Sequence, residues 1–194
     1  MLGRLLKNIR AGNDKLICYS REVALAPDTI HVSSEAFLHG GEIPVRFTQS
    51  SMDLFPPLSW SNLPSATRSL VLVIEDPDAP LPFAFVHAIA YNLPPETFLP
   101  EAAIPNTPPA QSQPIPDGFR IGKNTVGTMA YRGPGPIPDH GPHSYYFQLF
   151  ALDANLTFNS PPRRRDVLAA MSGHVLAKGT LVGTYERKSR QVTS

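Results

Sequence analysis

Carboxylate, imidazole and phenol side chains gather in two short stretches of this chain. The first is VIEDPDAP, residues 73–80, which carries Asp76 and Asp78 and is followed by His87. The second is GPGPIPDHGPHSYYF, residues 133–147, which carries His143 and Tyr145. An aspartate beside an imidazole accepts one ring N–H, fixes the tautomer and favours the protonated ring, so the outer nitrogen can donate to an anion. Aspartates at an anion site would otherwise repel the ligand. Asp76 and Asp78 are therefore expected to orient His87 and His143, or to meet a cationic group on the ligand. The tight segments 133–136 and 140–142 can bring backbone N–H groups into an anion-binding concavity. The same groups could do acid–base chemistry, with Asp76 holding His87, His87 moving a proton, and His143 with Tyr145 stabilising negative charge on an oxygen.

The elements that must hold these groups are mostly strands. Residues 69–75 are almost continuously apolar and read as a central strand. It stops at the Asp76 turn, which Pro77 and Pro80 hold rigid, so little order is lost on binding. Residues 84–92 alternate, with Phe85, His87, Ile89 and Tyr91 on one face and Val86, Ala88 and Ala90 on the other. Residues 144–152 are aromatic-rich and strand-like, and 29–33 and 181–187 are shorter candidates. One long helix is expected over NSPPRRRDVLAAMSGHVLAKG, capped by Ser160, with Pro161 in its first position and Gly179 at its end. Its buried face would be Val167, Ala170, Met171, His174 and Val175. Arg163, Arg164 and Arg165 oppose the helix dipole there and read as a solvated rim. Leu2, Leu5, Leu6 and Ile9 follow helical spacing, so residues 1–14 are expected to form an amphipathic helix docked on the domain or on a partner subunit. The proline-rich stretch 99–119 has no periodicity and reads as a long loop, with 105–116 packing little.

Composition narrows the function classes. The 194 residues, 42 % hydrophobic, suit one domain over 1–194. A net charge of +1 supplies no strong field for nucleic acid or a membrane surface. No segment approaches the ~18 apolar residues of a membrane span, and the N-terminus lacks the apolar core of a signal peptide. The one cysteine, Cys18, leaves no intrachain disulfide and favours a reducing, cytoplasmic setting; it reads as a half-buried small residue. The 22 prolines are spread along the chain, which favours β structure with irregular connections. No ligand pair has helical or C-x-x-C spacing, so no metal is expected. No cofactor fingerprint, nucleophile elbow or phosphate-binding glycine motif is present, so no cofactor is expected and hydrolase, kinase and dehydrogenase readings are weak. His31, His39, His140 and His174 are given no role.

DPDAP, VHAIAYNLP, YRGPGP…GPHSYYFQLFALD and GHVLAKGTLVGTYER, in this order, resemble the phosphatidylethanolamine-binding protein family. That family includes the Raf kinase inhibitor proteins and the plant flowering-time regulators. The nearer likeness is to its bacterial-type, Raf-kinase-inhibitor-like branch, over about residues 30–187. The resemblance implies a mainly β fold with peripheral helices: a large antiparallel sheet packed on a smaller one, with a C-terminal helix. It also implies a pocket at one end of the large sheet that binds anions such as phosphate or acetate. The matching pocket positions are Asp76, Asp78, Pro80, His87, Gly135, Pro136, His143 and Tyr145. Two positions depart from the family pattern, Ile137 where a second proline is usual and Ser144 where arginine is usual, and both alter the pocket rim.

Three function classes follow. One is a binder of a phosphate-bearing or other anionic small molecule or lipid headgroup. Another is a protein that modulates a kinase or protease. The third is a small-molecule enzyme (isomerase, dehydratase or cyclase) with Asp76, His87 and His143 as its catalytic groups. A protein partner and a homodimer stay open; nucleic acid is not expected.

Overall fold

The computed structural model describes residues 2–96, 98–108 and 118–189. Seven strands are β1 (His31–Ser33), β2 (Ser59–Ser61), β3 (Ser69–Asp76), β4 (Phe85–Leu93), β5 (Arg120–Ile121), β6 (His143–Leu152) and β7 (Val175–Tyr185). The α-helices are α1 (Leu2–Leu6) and α2 (Arg164–Met171). The large sheet has the order β5-β4-β3-β6-β7 and the small one is β1-β2; every pairing is antiparallel. This is the mainly β fold with two antiparallel sheets and few helices that the sequence implied.

β3 is apolar without interruption because it is covered on both faces. Leu70, Leu72 and Ile74 join one core with Val32, Phe47, Phe55 and Phe147. Val71 and Val73 join another with Leu16, Ile17, Val167 and Met171. Each such side chain contributes about 1.5–3 kcal/mol when fully buried. The second core depends on residues near the N-terminus and on α2, which together cover the sheet face opposite the β1-β2 pair.

Four expectations about the helices need correction. The long helix is only Arg164–Met171; residues from Val175 onward are strand β7, because the free edge of β6 offers them ten paired positions. Arg163, not Ser160, stands at the N-cap, and its backbone N–H donates to Asp166 Oδ2 at 2.9 Å. Gly173, with φ 82°, makes the turn after the helix, while Gly179 lies inside β7, where the Ile30 carbonyl leaves no room for a Cβ. The N-terminal helix is five residues, and it docks through Gly3 while Leu2, Leu5 and Ile9 stay exposed, Leu5 by 75 %.

The described residues of the stretch 99–119 contain no strand or helix before β5, yet its ends are core. Leu99, Ile104 and Phe119 are buried, Leu99 pairs with Leu58, and the Pro105 carbonyl accepts from Tyr131 N at 2.8 Å. The expectation of little packing therefore fails at residue 105, and 109–117 lie outside the described residues. In β4 the simple alternation breaks: Val86, Ile89 and Tyr91 face one core and Ala88 and Ala90 the other. The cause is a bulge. Ile74 pairs with Ala88 but Glu75 with Val86, so His87 is the extra residue.

Candidate functional site

That bulge sets His87 at one end of the large sheet. Its Nδ1 meets the Arg132 carbonyl, and Arg132 N returns a bond to the His87 carbonyl at 3.0 Å. A carbonyl only accepts, so Nδ1 carries the hydrogen and Nε2 is the lone-pair nitrogen of the neutral ring. His87 Nε2 is buried with no hydrogen-bond partner among the described residues, and the same holds for the Tyr145 hydroxyl. The two rings meet edge to face, 5.2 Å between centroids.

The acidic turn after β3 does two jobs with one side chain. Asp76 Oδ1 accepts from Asp78 N at 2.7 Å and Ala79 N at 3.1 Å, closing the turn. Asp76 Oδ2 accepts from His143 Nδ1 at 2.7 Å. The partner of Asp76 is thus His143, whereas the backbone at Arg132 orients His87. The other His143 nitrogen lies 2.7 Å from His140 Nδ1, and His140 Nε2 donates to the Leu6 carbonyl at 2.8 Å. These bridges need three hydrogens between one carboxyl and two rings, which leaves His143 no nitrogen for a ligand. His140, given no role from the sequence, is therefore a supporting member of the site. The DHGPH spacing, two histidines three residues apart across a glycine-proline turn, was the available signal.

Asp78 faces away from the cavity. One oxygen accepts from Ser144 N at 2.7 Å and the other pairs with Arg10. Arg10 also reaches the Pro142 carbonyl at 3.2 Å, so residues near the N-terminus tie the two turns together.

The cavity itself holds about 250 Å³. Asp76, Pro80, His87, Gly135, Pro136 and His143 line it, as does Ile137, one of the two departing positions. Asp78 and Tyr145 do not; Tyr145 stands behind His87 and His143. The sequence reading missed Gln49, Leu81, Phe85 and Arg132 on the wall. Gln49 Nε2 donates to the Gly133 carbonyl at 2.7 Å and lies so close to Gly135 that a Cβ there would collide with it. Among the described residues no group of three His, Cys, Asp or Glu side chains is gathered to hold a metal ion.

Burial lowers the His87 pKa from its ordinary 6.5, against the pull of Asp76, and the Arg132 charge acts in the same direction as burial. Burial first, then the Asp76 charge, pushes the Tyr145 phenol well up, so its hydroxyl stays a donor. The cavity thus presents one neutral ring nitrogen and a guanidinium close enough to act on the ring, with the Tyr145 phenol O–H buried behind them.

Residues 33–186 match the family model described as phosphatidylethanolamine-binding protein. A UPF0098 protein of Methanothermobacter thermautotrophicus is 39 % identical over 158 residues, 81 % of this chain and 99 % of that one. The solved phosphatidylethanolamine-binding protein homologue CT736 of Chlamydia trachomatis is 36 % identical, covers 83 % of this chain and 99 % of its own, and superposes with a TM-score of 0.71. Escherichia coli YbcL shares the fold at 24 % identity and a TM-score of 0.74, over 82 % of this chain and 99 % of its own. The matched span holds the whole five-stranded sheet and both turns that meet at Asp76 and His143, and the chain belongs to the phosphatidylethanolamine-binding protein family.

Proposed function

We propose that this chain is a single-domain cytoplasmic binding protein for a small phosphate-bearing molecule or headgroup, held at His87 and Tyr145. One observation carries the reading: two buried polar atoms, His87 Nε2 and the Tyr145 hydroxyl, have no partner among the described residues. Leaving such a group unsatisfied costs about 1–3 kcal/mol, and a ligand that bonds both recovers that loss. A monohydrogen phosphate ester suits them, with its P–OH donating to Nε2 and an unprotonated oxygen accepting from the phenol. A volume of about 250 Å³ suits a headgroup. The buried free thiol Cys18 suits a reducing compartment. Among the described residues no helix is long and apolar enough to cross a membrane.

Calorimetry with phosphate and phosphoethanolamine tests the reading. Binding in the millimolar-to-micromolar range is expected, about 4–8 kcal/mol, with at least a roughly tenfold loss in His87→Ala. Equal binding by the variant, or none by the wild type, overturns it.

The neutral His87 ring with a free nitrogen in a cavity favours one second reading, an acid–base enzyme acting on a small substrate. His87 would move the proton and Tyr145 would hold the developing oxyanion, with Asp76 and His143 in support. Metabolite profiles of wild-type and deletion strains separate the readings. An altered metabolite whose turnover falls about 10²–10⁴-fold in His87→Ala marks an enzyme; an unchanged profile favours the binder.

A further inference from the structure

The opposite face of the β4 entry carries a second cavity, of about 380 Å³. Phe85 and His87 line the first cavity, and Ala84 and Val86 line this one. Its remaining wall includes five basic residues: Lys15, Lys123, Arg163, Arg164 and Arg165. Among the described residues no carboxylate lines it. Arg164 is neutralised by buried Glu75, and Lys15 by exposed Asp14 at 2.7 Å. Lys123, Arg163 and Arg165 have no ion pair among the described residues.

The wall is braced. Lys123 N donates to the Pro162 carbonyl at 2.7 Å, and Val86 N to Thr125 Oγ1 at 2.8 Å. Arg164 Nη2 donates to the Lys15 carbonyl at 2.8 Å, which ties the N-terminal wall to α2. Four separate chain segments are thus fixed around one basic concavity before any ligand arrives, which keeps the ordering cost of binding small.

Three successive arginines beside the positive end of a helix repel one another and the dipole. Among the described residues only the Arg164 side chain has an ion-pair partner, so no ion pair accounts for the charges of the other two. The net charge of the whole chain is +1, so this is a local concentration of charge and not part of a generally basic surface. Lys15 lies outside the family-matched residues 33–186, whereas Lys123, Arg163 and Arg165 lie within them. Phe83, 49 % exposed, adds an apolar face at the rim.

We infer that this cavity is a second binding site, separate from the first and taking the oligophosphate group of a small molecule. Three unpaired cations around one open concavity exceed what one phosphate can engage, and they match a ligand carrying several negative charges on adjacent phosphoryl groups. The basic patch is local and the whole chain carries only +1, which argues against a nucleic-acid duplex as the ligand. Inorganic oligophosphate and a nucleoside diphosphate share this chemistry; the second would also cover Phe83.

Calorimetry on the full chain, with sodium tripolyphosphate, ADP and orthophosphate as separate titrants, tests the site. Tripolyphosphate should bind at least about tenfold more tightly than orthophosphate, and Arg163→Ala/Arg165→Ala should weaken it at least about tenfold. Lys123→Met should act in the same direction, and His87→Ala should leave it unchanged. Both arginines are exposed, so the double variant should melt like wild type. A Phe83→Ala loss confined to ADP identifies the nucleotide as the better ligand; no such loss identifies the inorganic chain. Absence of tripolyphosphate binding, binding indifferent to the arginine pair and to Lys123, or binding abolished by His87→Ala overturns the second site.

Discussion

Glu75 and His87 are buried polar residues on neighbouring strands, and their surroundings differ in kind. Glu75 Oε2 accepts from Ile17 N at 2.7 Å and Gln148 Nε2 at 2.8 Å, while Oε1 accepts from Arg164 Nε at 2.6 Å. Gln148 Oε1 in turn accepts from Cys18 N at 3.0 Å, and Lys178 Nζ donates to the Ala24 carbonyl at 2.9 Å. This side of the sheet uses buried polar groups to fasten the N-terminal residues, and each of these side chains has its partners. On the other side, His87 Nε2 and the Tyr145 hydroxyl have none. Equal burial therefore serves two ends: a satisfied network holds the fold, and unpaired atoms beside a cavity point to a ligand.

The comparison breaks most visibly at Glu75. Glu75→Leu would strand Ile17 N, the Gln148 amide and the Arg164 guanidinium without their shared acceptor. A loss of about 3 kcal/mol or more is expected in urea unfolding. A loss below about 1 kcal/mol would show that the N-terminal residues are not fastened there.

A smaller effect should follow pH. Because burial lowers the His87 pKa below its ordinary 6.5, the unfolded chain binds more protons than the folded one once pH falls past that value. Stability is full above about 6.5 and is lost as pH falls toward the lowered folded value. The groups that act on the ring are Asp76, Arg132 and His143. Melting temperatures between pH 8 and 5 should drop more steeply for wild type than for His87→Gln. Parallel curves would mean that the ring is not held neutral.

On the satisfied side, burial pushes the Cys18 thiol up to about 11, against the pull of Lys178. Iodoacetamide at pH 8 should leave the native thiol unmodified and should alkylate it after unfolding. Rapid native alkylation would show that the N-terminal segment opens.

Much of the fold was legible, because apolar runs and alternation report burial directly. β3, β4 and β6 lie within a residue or two of their sequence reading. The errors arose where partners far along the chain decide. Residues 175–179 read as the end of the helix by local spacing, yet pairing with β6 makes them strand. The bulge at His87 depends on how β4 registers against β3, which no local pattern encodes. β2 and β5, three and two residues long, have too little sequence to carry a period. At the site, residue types were legible in the two turns, but their pairing was not. Asp76 reaches His143 through the fold, and His140 enters only because residues near the N-terminus bring the Leu6 carbonyl to it.

Tyr145 is where the smallest change in stability should accompany a clear change in binding. Tyr145→Phe removes one oxygen and keeps the ring, so its contacts with His87 and His143 persist. Deleting a bonded buried hydroxyl ordinarily costs about 0.5–1.5 kcal/mol. This hydroxyl has no partner to lose, so unfolding free energy should stay within about 0.5 kcal/mol of wild type or rise slightly. A hydrogen bond to a charged ligand is worth about 1.5–3 kcal/mol, so phosphate affinity should fall roughly tenfold to hundredfold. The pair of measurements discriminates in both directions. A stability loss above about 1 kcal/mol would show that the phenol is part of a satisfied network like that of Glu75. Unchanged stability with unchanged phosphate binding would leave the hydroxyl outside the ligand's reach and place the anion, if it binds, on His87 and Arg132 alone.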